Sequence, residues 1–177
     1  NFSDVIICDY NYAFDPRTHL IRYFDEEYYN PILLIDEAHN MIDRSRSMYS
    51  SFLKKSTLIN LRKSSNKLKP SVRTQINNLI KYIDEFVENN DVIKSSFYFQ
   101  EELDLDLIKL VERIVTKFDQ ILVENKKFKS RDKVLDGYFE LSQFLRISDF
   151  YSLSYKYVIE VIDDDIIISQ RCLDASK

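Results

Sequence analysis

Asp36, Glu37, Ala38 and His39 close an aliphatic run, Ile32-Leu33-Leu34-Ile35, and here the residue types and their spacing spell out a reaction. A carboxylate fixed at the end of a strand supplies a hard oxygen for a hydrated Mg²⁺ ion. A second carboxylate directly after it can polarise a water as general base. Together they suit hydrolysis of a phosphoanhydride, where Mg²⁺ bridges the terminal phosphates and water is aligned with the bond that breaks. On average residue frequencies, a given tetrapeptide arises in a chain of this length about once in a thousand. The other half of such a site, a phosphate loop of the form GxxxxGK[ST], is missing from the chain, which holds one glycine, Gly137.

Such carboxylates act only when they are held in place. Ile32–Ile35 reads as a buried strand, and Asp4-Val-Ile-Ile-Cys8 as a second of the kind found in parallel sheets. Between them Asp15-Pro16 opens a predicted helix, with Asp15 as N-cap and Pro16 at the first helical position. Its face is Leu20, Ile21, Tyr23, Phe24 and Tyr28, and Asn30-Pro31 breaks it. That order is a βαβ unit with a right-handed crossover. It places Asp36 to His39 at the carboxyl edge of a strand, where open α/β sheets bind ligands.

From Met41 the apolar period becomes helical, with Met41, Ile42, Met48, Tyr49, Phe52 and Leu53 forming one stripe that runs on towards Ile59. Pro70 starts a second helix faced by Val72, Ile76, Leu79, Ile80, Ile83 and Val87. A third covers residues 101–124 and a fourth residues 132–147. Residues 91–100, with Phe97-Tyr98-Phe99, fit either a loop or a short strand. Four amphipathic helices in succession make a bundle or a bent array. Tyr155–Ile162 and Ile166–Cys172 are β-rich and flank Asp163-Asp164-Asp165, a hairpin with a solvated turn; the three Asp as a metal site is the weaker reading. The expected fold class is thus α/β flanks around a mainly α-helical insertion. The expected division is residues 1–43, 44–155 and 156–177, the last returning to the α/β part.

The net charge of −4 is unevenly spread. Residues 1–45 hold 9 acids and 3 bases, whereas residues 46–157 hold 15 acids and 20 bases. Positions 44–83 carry ten Lys or Arg and no acid. Such a block is either a solvated helix face or a track for a phosphate backbone, and charge alone does not separate the two. No apolar run approaches the length needed to span a bilayer, and no secretory signal stands at the start, so a cytoplasmic, non-membrane protein is expected. The absence of an initiating Met suggests a piece of a longer protein. Cys8 and Cys172 are far apart, as suits isolated thiols in a reducing compartment, with a disulfide as the alternative.

Three stretches of the chain resemble the iron–sulfur superfamily 2 DNA helicases, the group of XPD and the bacterial DinG-like enzymes. Asp4-Val-Ile-Ile-Cys8-Asp-Tyr-Asn-Tyr-Ala-Phe-Asp-Pro16 is similar to that family's "ADVVVCNYNYLFDP" segment. Ile32 to Asn40 is similar to its Walker B, or DEAH, motif. Arg171 to Ser176 is similar to its "CLDPS" segment, with Ala175 in place of the usual Pro. The family inserts a helical Arch domain between the last two, and residues 41–157 match it in position and helicity.

The resemblance implies an ATP-dependent DNA helicase of 5′→3′ polarity as the parent enzyme. In it Asp36 ligates Mg²⁺, Glu37 activates water and His39 couples the nucleotide state to a second motor domain. Tyr10, Asn11 and Tyr12 fall near its nucleic-acid face, with core packing an equal alternative. The parent's cofactors would be Mg-ATP and, where it is retained, a 4Fe–4S cluster; the cluster's cysteines belong upstream of this chain, so neither thiol here is expected to be a ligand. The chain itself is expected to hold no cofactor and to lack activity.

The leading reading is an Arch-type domain forming part of a gate for single-stranded or forked DNA. Its candidate DNA-facing cations are Lys54, Lys55, Arg62, Lys63, Lys67, Lys69 and Arg73, with a second cluster at Lys126, Lys127, Lys129, Arg131 and Lys133. Nearby Tyr and Phe would stack bases, a contribution of about 1–3 kcal/mol per base. A second reading is a helical module that docks a protein partner, with Phe97 to Phe99 as the contact. A metal-dependent nuclease using Asp36 and Glu37 is a third, weakened by the lack of further clustered carboxylates.

Overall fold

The computed structural model describes residues 5–24, 31–64, 70–124 and 131–175. Its helices are α1 (Asn11–Phe14), α2 (Met41–Met48), α3 (Lys55–Ser64), α4 (Pro70–Asn89), α5 (Val92–Ser95), α6 (Leu105–Glu124) and α7 (Arg131–Ser148). Its strands are β1 (Ser51–Lys54), β2 (Phe97–Gln100), β3 (Tyr155–Ile162) and β4 (Asp165–Cys172). The protein is therefore a mixed α and β structure. All four strands join one antiparallel sheet in the order β1-β4-β3-β2.

The long helices follow the apolar period closely. Pro70 sits at the first position of α4, where its missing N–H is not needed. Asp104 caps α6 by accepting the Leu107 N–H at 3.0 Å, and it also takes the Tyr82 hydroxyl at 2.9 Å. Helices α3, α4, α6 and α7 close into a ring, each packed on two of the others. Leu58, Ile76, Phe118 and Phe144 are fully buried at its centre, each contributing roughly 1.5–3 kcal/mol of transfer free energy. The sheet lies against this ring through α3 and α7. Gly137 lies where α7 packs on α3: a Cβ there would stand 3.1 Å from Leu61 Cδ1, a contact tight enough that the leucine would have to shift.

Several expectations are corrected. The stripe from Met41 towards Ile59 is not one helix: α2 ends at Met48, and Ser51–Lys54 pairs with β4 before α3 begins at Lys55. Burial there alternates, Ser51 and Leu53 in and Phe52 out, which is strand periodicity. Two distant carboxylates make this loop-free change of structure workable. Glu140 of α7 accepts the Lys54 N–H at 2.7 Å and the Thr57 hydroxyl at 3.0 Å, and Asp165 of β4 accepts the Ser56 N–H at 2.9 Å. Residues 91–100, open between loop and strand, contain the short α5 and the edge strand β2. The hairpin assigned to the α/β flank instead forms the middle of the sheet, with β1 and β2 on either side.

The βαβ unit is not formed among the described residues. Residues 5–9 and 31–35 form no strand with any described residue, and Ile7, Ile32 and Leu34 are 96%, 91% and 95% exposed. A parallel strand needs hydrogen-bonded neighbours, and no described segment supplies them. The helix expected after Asp15 stops after one turn. Asp15 does accept the Arg17 N–H at 2.8 Å as an N-cap should. The Leu20 N–H then turns back to the Tyr12 carbonyl at 2.8 Å, and the Pro16 carbonyl accepts Arg146 Nη1 at 3.2 Å instead of continuing a helix. A 3₁₀ turn follows at Ile21–Tyr23; Tyr28 and the break at Asn30 lie outside the described residues.

Candidate functional site

Asp36 and Glu37 sit where the extended segment turns into helix. Glu37 takes a left-handed conformation (φ 51°, ψ 36°), after which a 3₁₀ turn over Ala38–Asn40 leads straight into α2. A left-handed non-glycine residue costs of order 1 kcal/mol and is informative when it falls on a chemically active group. The Asp36 carboxylate accepts the Glu37 N–H at 2.9 Å through Oδ1, and its Oδ2 takes no hydrogen bond from the described residues. His39 Nδ1 lies 3.2 Å from Glu37 Oε2, with both side chains mostly exposed. The three predicted residues are thus brought together, and α2 carries them on a rigid element. Asp36 and Glu37 offer the hard oxygen set that Mg²⁺ prefers. Cys8 and Cys172 are both free, one exposed and one buried, and two thiolates in a whole chain cannot hold a four-cysteine cluster.

The segment bearing this motif is tied to the helical body by contacts that the sequence did not single out. Asp15 is 1% exposed, and both of its oxygens are held by the Arg17 guanidinium. Arg17 in turn donates to Gln143 Oε1 of α7 at 3.0 Å. Burial alone would raise the Asp15 pKa, but the Arg17 hydrogen bonds and charge outweigh it and hold the carboxyl below its usual range. Arg44 of α2 lies over the Tyr10 ring at 5.1 Å, and Arg46 donates to the Leu173 carbonyl at 2.9 Å. Phe14, Met41, Tyr49 and Ala175 line a shared cleft of about 330 Å³. Stretches around positions 14, 41 and 175, remote in sequence, therefore meet at the foot of α2. Asp15 before Pro16 pointed to the local turn, because an aspartate side chain bonds the backbone two residues on, and no local pattern pointed to the contacts with α7.

The predicted DNA-facing cations divide. Lys55 is paired with Asp84 of α4, and Lys54 packs over the Phe52 ring at 5.3 Å. Arg62 Nη1 reaches Asn77 Oδ1 at 3.4 Å, and Asn77 lies one helical turn from Arg73 on α4, so these two arginines share a surface; Lys63, next to Arg62 in the chain, is exposed as well. Lys67, Lys69, Lys126, Lys127 and Lys129 lie outside the described residues, as do the side chains of Arg131 and Lys133. Tyr12 is exposed, whereas Tyr10 and Asn11 are half-buried at the start of α1. Among the described residues no helix is long and apolar enough to cross a membrane.

The family model DEAD_2 matches residues 1–58, which include Asp36 to His39, all of α2 and β1, and the start of α3. This match supports a relationship to the DEAD/DEAH-type helicase families for that third of the chain. No curated protein matches the chain.

Proposed function

We propose that the chain is a segment of an ATP-dependent DNA helicase, in which Asp36 ligates Mg²⁺, Glu37 activates the attacking water and His39 senses the nucleotide state. The observation that carries this reading is the pairing of Asp36 and Glu37 at the end of an aliphatic segment, inside the stretch matched by the helicase-type family model. Bound Mg-ATP would supply the scissile phosphoanhydride and the charge that polarises it. This chain's part is to present two carboxylates at the head of α2, with His39 against Glu37 at 3.2 Å. The exposed aliphatic residues at 5–7 and 32–35 are what strands awaiting a larger sheet would show.

The helical body carries the second half of the proposal: an Arch-type domain that flanks single-stranded DNA with the Arg62, Lys63 and Arg73 surface. Without a phosphate loop, the 177-residue chain is expected to release no phosphate from ATP. In the full-length parent, Glu37→Gln should abolish DNA-stimulated phosphate release. Release by the isolated chain that Glu37→Gln abolishes would overturn the expectation that this chain alone is inactive, whereas unchanged release by the full-length Glu37→Gln variant would overturn the role given to Glu37. For the basic surface, single-strand affinity should fall steeply with salt, and Arg62→Glu with Arg73→Glu should flatten that dependence.

A further inference from the structure

Leu53, Ile168 and Ile159 face the helical core from one side of the sheet, and the register fixes what the opposite face presents among the described residues. Phe52 of β1, Ser169 of β4, Val158 of β3 and Phe99 of β2 are successive cross-strand partners, so they form one row on the open face. Phe52 and Phe99 are 50% and 58% exposed, while Ser169 and Val158 between them are 6% and 4% exposed. The rings therefore stand as ridges above a floor of small residues. Phe97 extends one ridge, its ring 6.0 Å from that of Phe99. Beside the other ridge, Phe52 and exposed Phe139 of α7 line a cleft of about 640 Å³ that takes in Ser169 and Ile167 of β4 and stops short of β2. The charges of this face largely cancel. Arg171 pairs with Glu160, and Lys156 with Glu101 at 2.6 Å, which leaves Lys54 over Phe52.

We propose that this trough docks an amphipathic α-helix of a partner protein. Three strand spacings of about 4.8 Å set the ridges about 14 Å apart, and a helix with its side chains is about 10–12 Å across. A second copy fits less well, because two concave faces leave a void between their floors. A nucleic-acid strand needs cations free for its phosphates, and Arg171 and Lys156 are already engaged. The eight residues of β3 run about 26 Å, the length of a helix of about 17 residues. The ends give the direction. Lys156 and Arg171 stand at one end, and Asp163 and Asp164, exposed in the turn, at the other. The helix dipole then sets the partner's N-terminus over the two exposed aspartates, which runs the partner parallel to β4. Its apolar stripe recurs at i, i+3, i+4 and i+7, and an acidic residue on the flank meets Lys54. None of these residues belongs to the Asp36 to His39 site, so the inference stands apart from the helicase reading.

The test titrates the 177-residue chain against a dye-labelled, helix-stapled peptide of that pattern, read by fluorescence anisotropy. A scrambled peptide of the same composition and a single-stranded thymidine oligonucleotide serve as controls. The patterned peptide should bind at least tenfold tighter than the scrambled one, and Phe99→Ala and Phe52→Ala should each weaken it at least fivefold. Each ring is half buried against its neighbours, so each variant's melting is measured beside its binding, and lost affinity counts only where the variant is still folded at the assay temperature. Lys54→Glu should weaken the peptide carrying Glu and recover with one carrying Lys at that position. Equal binding of the two peptides, or none, would overturn the proposal. So would Phe99→Ala weakening the oligonucleotide alone, or dissolving a dimer, since those results give the face to nucleic acid or to a second copy.

Discussion

Removing the Arg17 side chain isolates one buried charge, and its effect can be worked from the geometry. In Arg17→Ala, Asp15 keeps the backbone N–H at 2.8 Å but loses Nε, at 2.8 Å and 3.0 Å from its two oxygens, and the contact of Nη2. Stranding one partner of a fully buried pair costs about 3–5 kcal/mol. The Arg17 side chain is 44% exposed while Asp15 is 1% exposed, so solvent screening brings the expected loss to about 2–3 kcal/mol at neutral pH. The pH dependence carries a sign. Although burial raises the Asp15 pKa, the Arg17 interactions more than offset it, and the folded pKa lies below 3.8. The stability from this pair is therefore fully present above pH 3.8 and is lost as the pH falls through the folded value. In the variant burial is opposed only by the backbone N–H of residue 17 and the charge of Arg146, so the gap between parent and variant should narrow as the solution is acidified. Urea unfolding at pH 7 and pH 3 measures both quantities. Asp15→Asn in the Arg17→Ala background should cost much less than the sum of the single changes, because no stranded charge remains. A loss below about 0.5 kcal/mol at pH 7, the size of an ordinary surface substitution, or a gap that stays constant in acid, would refute the argument.

Other perturbations follow from particular contacts. Glu140 behaves oppositely to Asp15: burial is the largest influence and raises its pKa, against the pull of Lys54 N–H and Thr57. Its contribution to stability should therefore decline as pH rises through and above 4.5, and the melting temperature of Glu140→Gln relative to the parent should rise over that interval. Asp163 and Asp164 both adopt positive φ, 51° and 62°, in the two-residue turn between β3 and β4. Asn-Gly at these positions suits that turn and should add about 1 kcal/mol in denaturant unfolding. Gly137→Ala gains roughly 1 kcal/mol of helix propensity but presses a methyl group to 3.1 Å from Leu61. Gly137→Val enlarges the clash without that gain and should lose about 1–3 kcal/mol by thermal unfolding.

The long elements were legible because their own period declares them. In α4 and α6 the apolar residues recur on one stripe strong enough to fix which faces are buried, from Val72 to Val87 and from Leu107 to Ile121. The hairpin was legible from two β-branched runs around three aspartates. The placing of Asp36 and Glu37 side by side after an aliphatic run was legible too, because they are neighbours in the chain; the chemistry proposed for them awaits the Glu37→Gln test. Short elements were not legible. Ser51–Lys54 is too short to show a strand period, and it is a strand because β4 offers partners for it. The segments at residues 5–9 and 31–35 show the converse, since a strand-like sequence forms no strand where no partner stands beside it. Only the tertiary structure decided that Asp15 and Arg17 join α7, that Lys55 is neutralised by Asp84, and that the faces of Phe52 and Phe99 look the same way. Each of these depends on contacts between residues distant in the chain. Local sequence fixes which face of an element is apolar, and only packing decides what that face meets.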